Sequence, residues 1–82
     1  MSIGFRPQPD PRTIPEARLW TLHREGHSVE ARMRSTPLGP ELRVYFDDGL
    51  LWSQIPRDGR DFRVFVAERR AAYEARGWQG GR

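Results

Sequence analysis

Residues 41–55 decide the fold, and they read Glu41-Leu42-Arg43-Val44-Tyr45-Phe46-Asp47-Asp48-Gly49-Leu50-Leu51-Trp52-Ser53-Gln54-Ile55. In the first half, apolar side chains alternate with polar ones, which is the pattern of a strand with one buried face. Asp48-Gly49 is typical of a two-residue type I′ turn, which needs positive φ at both central positions. A turn there pairs Tyr45 with Trp52 and keeps the apolar side chains of both strands on one face. The stretch therefore predicts a β-hairpin.

The preceding residues extend this hairpin into a larger sheet. Residues 28–35 alternate in the same way, and Glu25-Gly26 is suited to a two-residue turn that pairs Trp20 with Ala31. Residues 36–40, with two prolines and a glycine, are typical of a loop. Four strands that follow one another through short connections predict an antiparallel meander.

A helix is predicted after Ile55-Pro56, where the period of two ends. Asp58 is suited to cap a helix over residues 60–76, and Gly77 is suited to the left-handed residue that follows a helix. Trp78 is then expected to fold back onto Tyr73.

One side of this helix is expected to cover one face of the sheet. At helical spacing the apolar side chains form a stripe of Phe62, Phe65, Val66, Ala72 and Tyr73. The covered sheet face is expected to bear Leu22, Val29, Ala31, Met33, Leu42, Val44, Phe46, Leu51 and Ile55. Arg69 falls within the stripe, and we expect its stem to pack while its charged group reaches solvent at the sheet edge.

The fold class that follows is α+β: a four-stranded antiparallel β-meander with one C-terminal helix packed on one face, ββββα. Residues 1–15 contain four prolines and predict an extended tail, because prolines at alternate positions prevent helix formation. Residues 16–78 are expected to form a single domain, and residues 79–82 a frayed C-terminus.

The composition favours a small cytoplasmic protein that is stabilised by association. A chain of 82 residues buries a modest core, and such domains depend on disulfides, metals or a partner subunit. Cysteine is absent, so a homo-oligomer is the expected aid. The absence of cysteine also fits the cytoplasm, and neither a signal peptide nor a membrane span is expected.

All 14 basic residues are arginine, which indicates a GC-rich genome. Without lysine, Schiff-base catalysis has no nucleophile. The net charge of +3 permits an acidic partner and does not identify one.

The sheet face opposite the helix is the expected functional surface. With the predicted register it presents an apolar patch made of Leu19, Tyr45, Leu50 and Trp52. Apolar patches on small proteins mark interfaces. The leading hypothesis is a non-enzymatic protein-interaction module that binds a second copy, through this face or an edge strand, or binds another protein.

The alternative hypothesis is a nucleic-acid-binding domain that uses the same face. Its candidate contacts are Arg32, Arg34, Arg43, Tyr45 and Trp52, since arginines contact phosphates and aromatic rings stack on bases. Three acids on this face, Glu30, Glu41 and Asp47, match the three arginines. A near-neutral face releases few counterions, so the protein-interaction hypothesis is preferred.

The sequence contains no recognisable catalytic, metal-binding or cofactor-binding residues. His23 and His27 are predicted on a strand and its turn, where they do not converge, and no acid stands at a matching ligand spacing. The serines show no spacing that suggests a histidine and an acid as partners. An enzyme is therefore the least supported class.

The run from Arg18 to Trp78 resembles small uncharacterised proteins of GC-rich bacteria. The similar features are the Leu-Trp-Thr-Leu strand, the Glu-Leu-Arg-Val strand that runs into Asp-Gly, and the helix that closes on Arg-Gly-Trp. That resemblance implies no activity. The order of four strands and a helix also looks like the single-stranded-DNA-binding transcriptional coactivator fold, but shared topology does not carry function.

Overall fold

The computed structural model describes residues 15–57 and 59–80. It confirms an α+β fold with an antiparallel sheet and one C-terminal helix. The strand order across the sheet is β4-β3-β2-β1-β5. The elements are β1 (Ala17–Arg24), β2 (His27–Thr36), β3 (Gly39–Phe46), β4 (Gly49–Gln54), α1 (Phe62–Glu74) and β5 (Gln79–Gly80). The proline-rich residues 1–14 and the predicted cap Asp58 lie outside the described residues.

The short strand β5 differs from the sequence prediction. Gln79 and Gly80, which were expected to be frayed, pair antiparallel with His23 and Leu22 of β1. The chain returns to the sheet because Gly77 adopts a positive φ of 96° directly after the helix. Over the described residues the sheet therefore has five strands.

The first two hairpins have two-residue turns. Glu25 and Gly26 both have positive φ, and the predicted pairing of Trp20 with Ala31 is confirmed. The second connection is tighter than the predicted loop of residues 36–40, because Thr36 already pairs with Gly39. The Thr36 hydroxyl donates to the Gly39 carbonyl at 2.7 Å, and so closes the turn.

The third hairpin corrects the predicted register. Its turn residues are Asp47 and Asp48, both with positive φ, one position before the predicted Asp48-Gly49. A β-bulge at Leu51 follows, and beyond it Trp52 pairs with Val44. Paired residues of neighbouring antiparallel strands point to the same face, so Trp52 lies on the helix-covered face with Val44. The predicted pairing of Tyr45 with Trp52 is wrong.

A second bulge interrupts β1 at Leu19. Arg18 pairs with Arg32, and Trp20 pairs with Ala31, so Leu19 is the extra residue. Leu19 lines a shallow apolar groove with helix residues such as Phe62. A bulge places two successive side chains opposite one partner residue and re-aims them. Leu19 therefore contributes to the helix side of the sheet and not to the face opposite the helix.

The core lies between the sheet and the helix. Its buried members are Trp20, Leu22, Val29, Ala31, Leu42, Val44 and Phe65. Phe62, Val66 and Tyr73 pack around them as predicted, but Ala72 is exposed at the side of the helix. Of the sheet residues expected in this core, Phe46 and Leu51 are exposed.

Both ends of the helix are capped. The N-cap is Asp61, three residues after the predicted Asp58, so the helix runs over Phe62–Glu74 and is shorter than the predicted 60–76. The Asp61 carboxylate accepts a hydrogen bond from the backbone of Arg63 at 2.8 Å. At the other end the Trp78 amide donates to the Tyr73 carbonyl, and the Trp78 ring packs edge-on against the Tyr73 ring. Gly77 supplies the left-handed residue between them, as the sequence predicted.

Candidate functional site

The four residues of the predicted apolar interface do not form one patch. Tyr45 and Leu50 pair with each other on the face opposite the helix, called here the open face. Trp52 lies on the helix-covered face, and Leu19 lies in the bulge of β1, also on the helix side of the sheet. The two bulges separate the patch, because each shifts the alternation of its strand by one residue.

Trp52 joins the edge strand to the helix. Its indole nitrogen donates a hydrogen bond to the Tyr73 hydroxyl at 3.0 Å. The guanidinium carbon of Arg69 lies 5.5 Å from the Trp52 ring centroid, within the range of a cation–π interaction. Trp52 therefore lies away from the open face, where both the protein interface and the nucleic-acid surface were predicted.

Glu16 organises the centre of the open face. Its carboxylate accepts hydrogen bonds from the Tyr45 hydroxyl at 2.9 Å and from Arg32 at 3.3 Å. Arg43 lies 3.0 Å from the same carboxylate. Sequence reasoning missed Glu16, because it precedes β1 and no strand pattern places it over the sheet.

The remaining arginines of the open face are paired with two further glutamates. Glu30 accepts from Arg32 at 2.7 Å and from Arg18 at 3.2 Å. Glu41 also accepts hydrogen bonds from two arginines, one of which it shares with Glu16. Its partners are Arg34 at 3.0 Å and Arg43 at 3.3 Å.

The charges of the open face nearly cancel. Four arginines (18, 32, 34 and 43) meet three glutamates (16, 30 and 41), which leaves one net positive charge. The glutamate side chains are only 12–17% exposed, so the arginines lie over them. The pKa of Arg32 is raised, and the hydrogen bond to Glu30 makes the largest contribution to this rise. The sequence also predicted a nearly neutral face, but it counted Asp47 as the third acid. In the structure the third acid is Glu16.

Tyr45 is covered by the same network. The guanidinium carbon of Arg32 lies 4.3 Å from the Tyr45 ring centroid, and the Tyr45 hydroxyl accepts from Arg43 at 3.0 Å. A ring whose face is taken by an arginine cannot stack on a base there. The residues proposed for nucleic-acid binding on this face are therefore engaged with one another.

Asp47 stabilises the turn before β4. Its carboxylate lies 2.6 Å from the His27 ring and accepts from the Ser28 amide at 2.8 Å. These two hydrogen bonds lower the pKa of Asp47, with the His27 contact as the larger cause. Within residues 15–57 and 59–80, no three histidine, aspartate or glutamate residues cluster as metal ligands would.

A groove runs between the end of β4 and α1, and it was not predicted. Its volume is about 650 Å³, and Arg57, Arg60 and Arg69 line it together with Glu41, whose carboxylate is paired with Arg34 and Arg43 of the open face. Arg60 is paired with Glu68. No carboxylate in the described part of the chain lies within 4.0 Å of Arg57 or Arg69, so their charges are uncompensated there.

The groove continues along the helix beside Trp52. A smaller space of about 200 Å³ shares Arg69 and adds Tyr73 and Arg76. We call both spaces together the arginine groove. Its only signal in the sequence is Arg69, the charge within the apolar stripe, whose guanidinium lies over the rings of Phe65 and of Trp52 in the edge strand β4.

The outer side of β4 has no strand partner among the described residues. This strand, Gly49–Gln54, contains no charged residue. Leu50 is 49% exposed and Leu51 is 54% exposed. Natural edge strands are protected by charges, prolines, bulges or covering segments, and here the bulge at Leu51 is the one such feature that β4 itself contains.

Across the described residues, no helix has the length and apolar character that a membrane crossing needs. Comparison of the chain with protein-family models, with curated proteins and with solved structures gives no match. Function is therefore argued from the geometry of the edge strand, the open face and the arginine groove.

Proposed function

We propose that this protein is a non-enzymatic protein-interaction module that forms a homodimer by pairing β4 with β4 of a second copy. The observation that carries the proposal is an uncharged edge strand with two exposed leucines, Leu50 and Leu51. An unpaired strand edge presents backbone donors and acceptors that another strand satisfies.

The pairing is self-complementary. Two antiparallel copies of one strand are related by a two-fold axis perpendicular to the sheet, which is the commonest symmetry of homodimers. The five-stranded sheet would become a ten-stranded sheet with both helices on the same face. Leu50 and Leu51 would then contact their counterparts at the junction.

The charge pairing on the open face favours the edge of β4, and not the open face itself, as the dimer interface. Every arginine there already has a glutamate partner, so a second copy has no unpaired charge to bind. Apposing two such faces would remove water from charged groups with little new pairing in return. The same network argues against nucleic acid on this face.

The proposal extends to the setting of the protein. A chain without cysteine is compatible with the reducing cytoplasm, where disulfides do not form. The arginine-only composition supports a bacterial source with a GC-rich genome. A small domain without disulfides buries additional apolar surface when it associates with a partner subunit.

Sedimentation equilibrium tests the dimer. A strand pair is a small interface, so we expect a dimer with a dissociation constant of about 10 µM. Leu51→Lys places like charges at the junction and should weaken the dimer at least about tenfold. The matched control is Val64→Lys, since Val64 is 50% exposed on the helix, and it should leave the association unchanged.

Two results would overturn the proposal. One is a wild-type protein that stays monomeric at about 200 µM. The other is a dimer that Leu51→Lys and Val64→Lys affect equally. Circular dichroism of both variants shows whether each is folded, so that loss of structure is not mistaken for loss of association.

A further inference from the structure

We propose that the arginine groove binds the phosphate backbone of a single-stranded nucleic acid. This goes beyond the dimer and does not depend on it. The first argument is charge: no carboxylate of the described residues lies within 4.0 Å of Arg57, Arg69 or Arg76. Such a concave positive surface attracts polyanions.

Arg69 is held in position for this role. Its guanidinium carbon lies 5.2 Å from the Phe65 ring centroid and 5.5 Å from that of Trp52. Aromatic contacts orient the planar guanidinium, and less side-chain entropy is lost when it binds a phosphate through two hydrogen bonds. The second guanidinium over Phe65, that of Arg60 at 5.7 Å, is already paired with Glu68.

The shape favours a chain of phosphates. The two spaces of about 650 and 200 Å³ share Arg69 as a lining residue, while Arg57 lines the larger space, at one end of the groove, and Arg76 lines the smaller space, at the other end. One phosphate ion would contact one end alone, whereas successive phosphates of a strand can contact both. A duplex presents its phosphates on a convex surface, which does not enter a groove with two walls.

The walls favour phosphate over an acidic peptide. Ser53 and Gln54 line the groove with the arginines, and its other lining residues are Glu41, Ile55, Pro56 and Phe65. The Glu41 carboxylate is already paired with Arg34 and Arg43. A peptide partner is normally anchored by an apolar or aromatic side chain in a dry pocket, and the exposed lining here is mainly polar. Trp52 lies beneath Arg69 and does not offer a stacking platform, so binding should show little preference among bases.

Fluorescence anisotropy with a labelled oligo-dT of about 15 nucleotides, at several salt concentrations, tests the proposal. Three arginine contacts predict a slope of log K against log salt of about −2. Arg57→Gln and Arg76→Gln, both at exposed positions, should each weaken binding about three- to tenfold and reduce the magnitude of the slope by about 0.7.

The matched control is Arg18→Gln, because Arg18 is 72% exposed and lies on the open face. It should leave both the affinity and the slope unchanged. Unlabelled duplex DNA and poly-glutamate are the competitors, and each should displace the oligonucleotide at least about tenfold less well. Binding without salt dependence, equal loss in Arg18→Gln, or equal displacement by poly-glutamate would overturn the proposal.

Discussion

The open face and the arginine groove are both rich in arginine, but among the described residues every arginine of the open face has a glutamate partner, whereas in the groove Arg60 alone does. On the open face, four arginines lie over three glutamates that are 12–17% exposed. In the groove, Arg57, Arg69 and Arg76 have no carboxylate within 4.0 Å among the described residues. The number of arginines therefore does not distinguish a binding surface from a structural one; the positions of the acids do.

The difference also has a structural consequence. The open face is held by hydrogen bonds between charged groups, several of them half-buried, so each glutamate is expected to contribute to folding. The groove is held by the packing of Trp52, Tyr73 and Phe65, and Arg69 lies over the Trp52 and Phe65 rings. Removing a charge should therefore destabilise the open face more than the groove.

The largest expected effect comes from Glu41→Ala. This change leaves Arg34 and Arg43 without their shared carboxylate, in a partly buried site. We expect the free energy of unfolding to fall by about 2 kcal/mol. The groove counterpart, Glu68→Ala, removes an exposed partner of Arg60 and should cost less than about 0.5 kcal/mol.

Urea denaturation of the two variants measures the difference, provided that the slope of the unfolding free energy against urea stays unchanged. Equal losses in Glu41→Ala and Glu68→Ala would contradict the contrast between the two regions. A larger loss in Glu68→Ala would reverse it.

A smaller loss of stability is expected at low pH, where the carboxylates of Asp47 and Asp61 become protonated. The pKa of Asp47 is lowered by His27, and that of Asp61 is lowered by the backbone amide of Arg63. Because the folded-state pKa lies below the unfolded value of about 3.9, each group stabilises the fold above that pH and loses this effect as the pH falls through the folded pKa.

Thermal melts between about pH 2 and pH 7 check this expectation. Asp47→Asn and Asp61→Asn should each melt below the wild type at neutral pH, and the gap should narrow as the pH falls below the unfolded pKa of about 3.9 and close once it passes the lowered folded pKa. A gap that persists undiminished at the acidic end would show that neither carboxylate contributes through its charge.

Much of the fold was predictable from local chemistry. The alternation in residues 28–35 and 41–46 gave the central strands, and Gly77 gave the helix end, because both signals depend on near neighbours. The first turn at Glu25-Gly26 was predicted for the same reason.

The candidate site was less predictable, because two bulges move side chains between faces. A single extra residue at Leu51 transfers Trp52 from the open face to the helix face. No short sequence pattern predicts such a bulge, because the bulge depends on how Trp52 packs against Tyr73, which is distant in the sequence. Glu16 was missed because its partners Arg32 and Tyr45 lie far along the chain.

The most direct test of this account is the position of the Trp52 indole, since the division between the two regions depends on it. A nuclear Overhauser spectrum of the folded protein reports protons within about 5 Å of the indole N–H, which donates to the Tyr73 hydroxyl. We expect cross-peaks from this proton to the Tyr73 ring and none to the Tyr45 ring. Cross-peaks to Tyr45 in place of Tyr73 would return Trp52 to the open face and contradict the account.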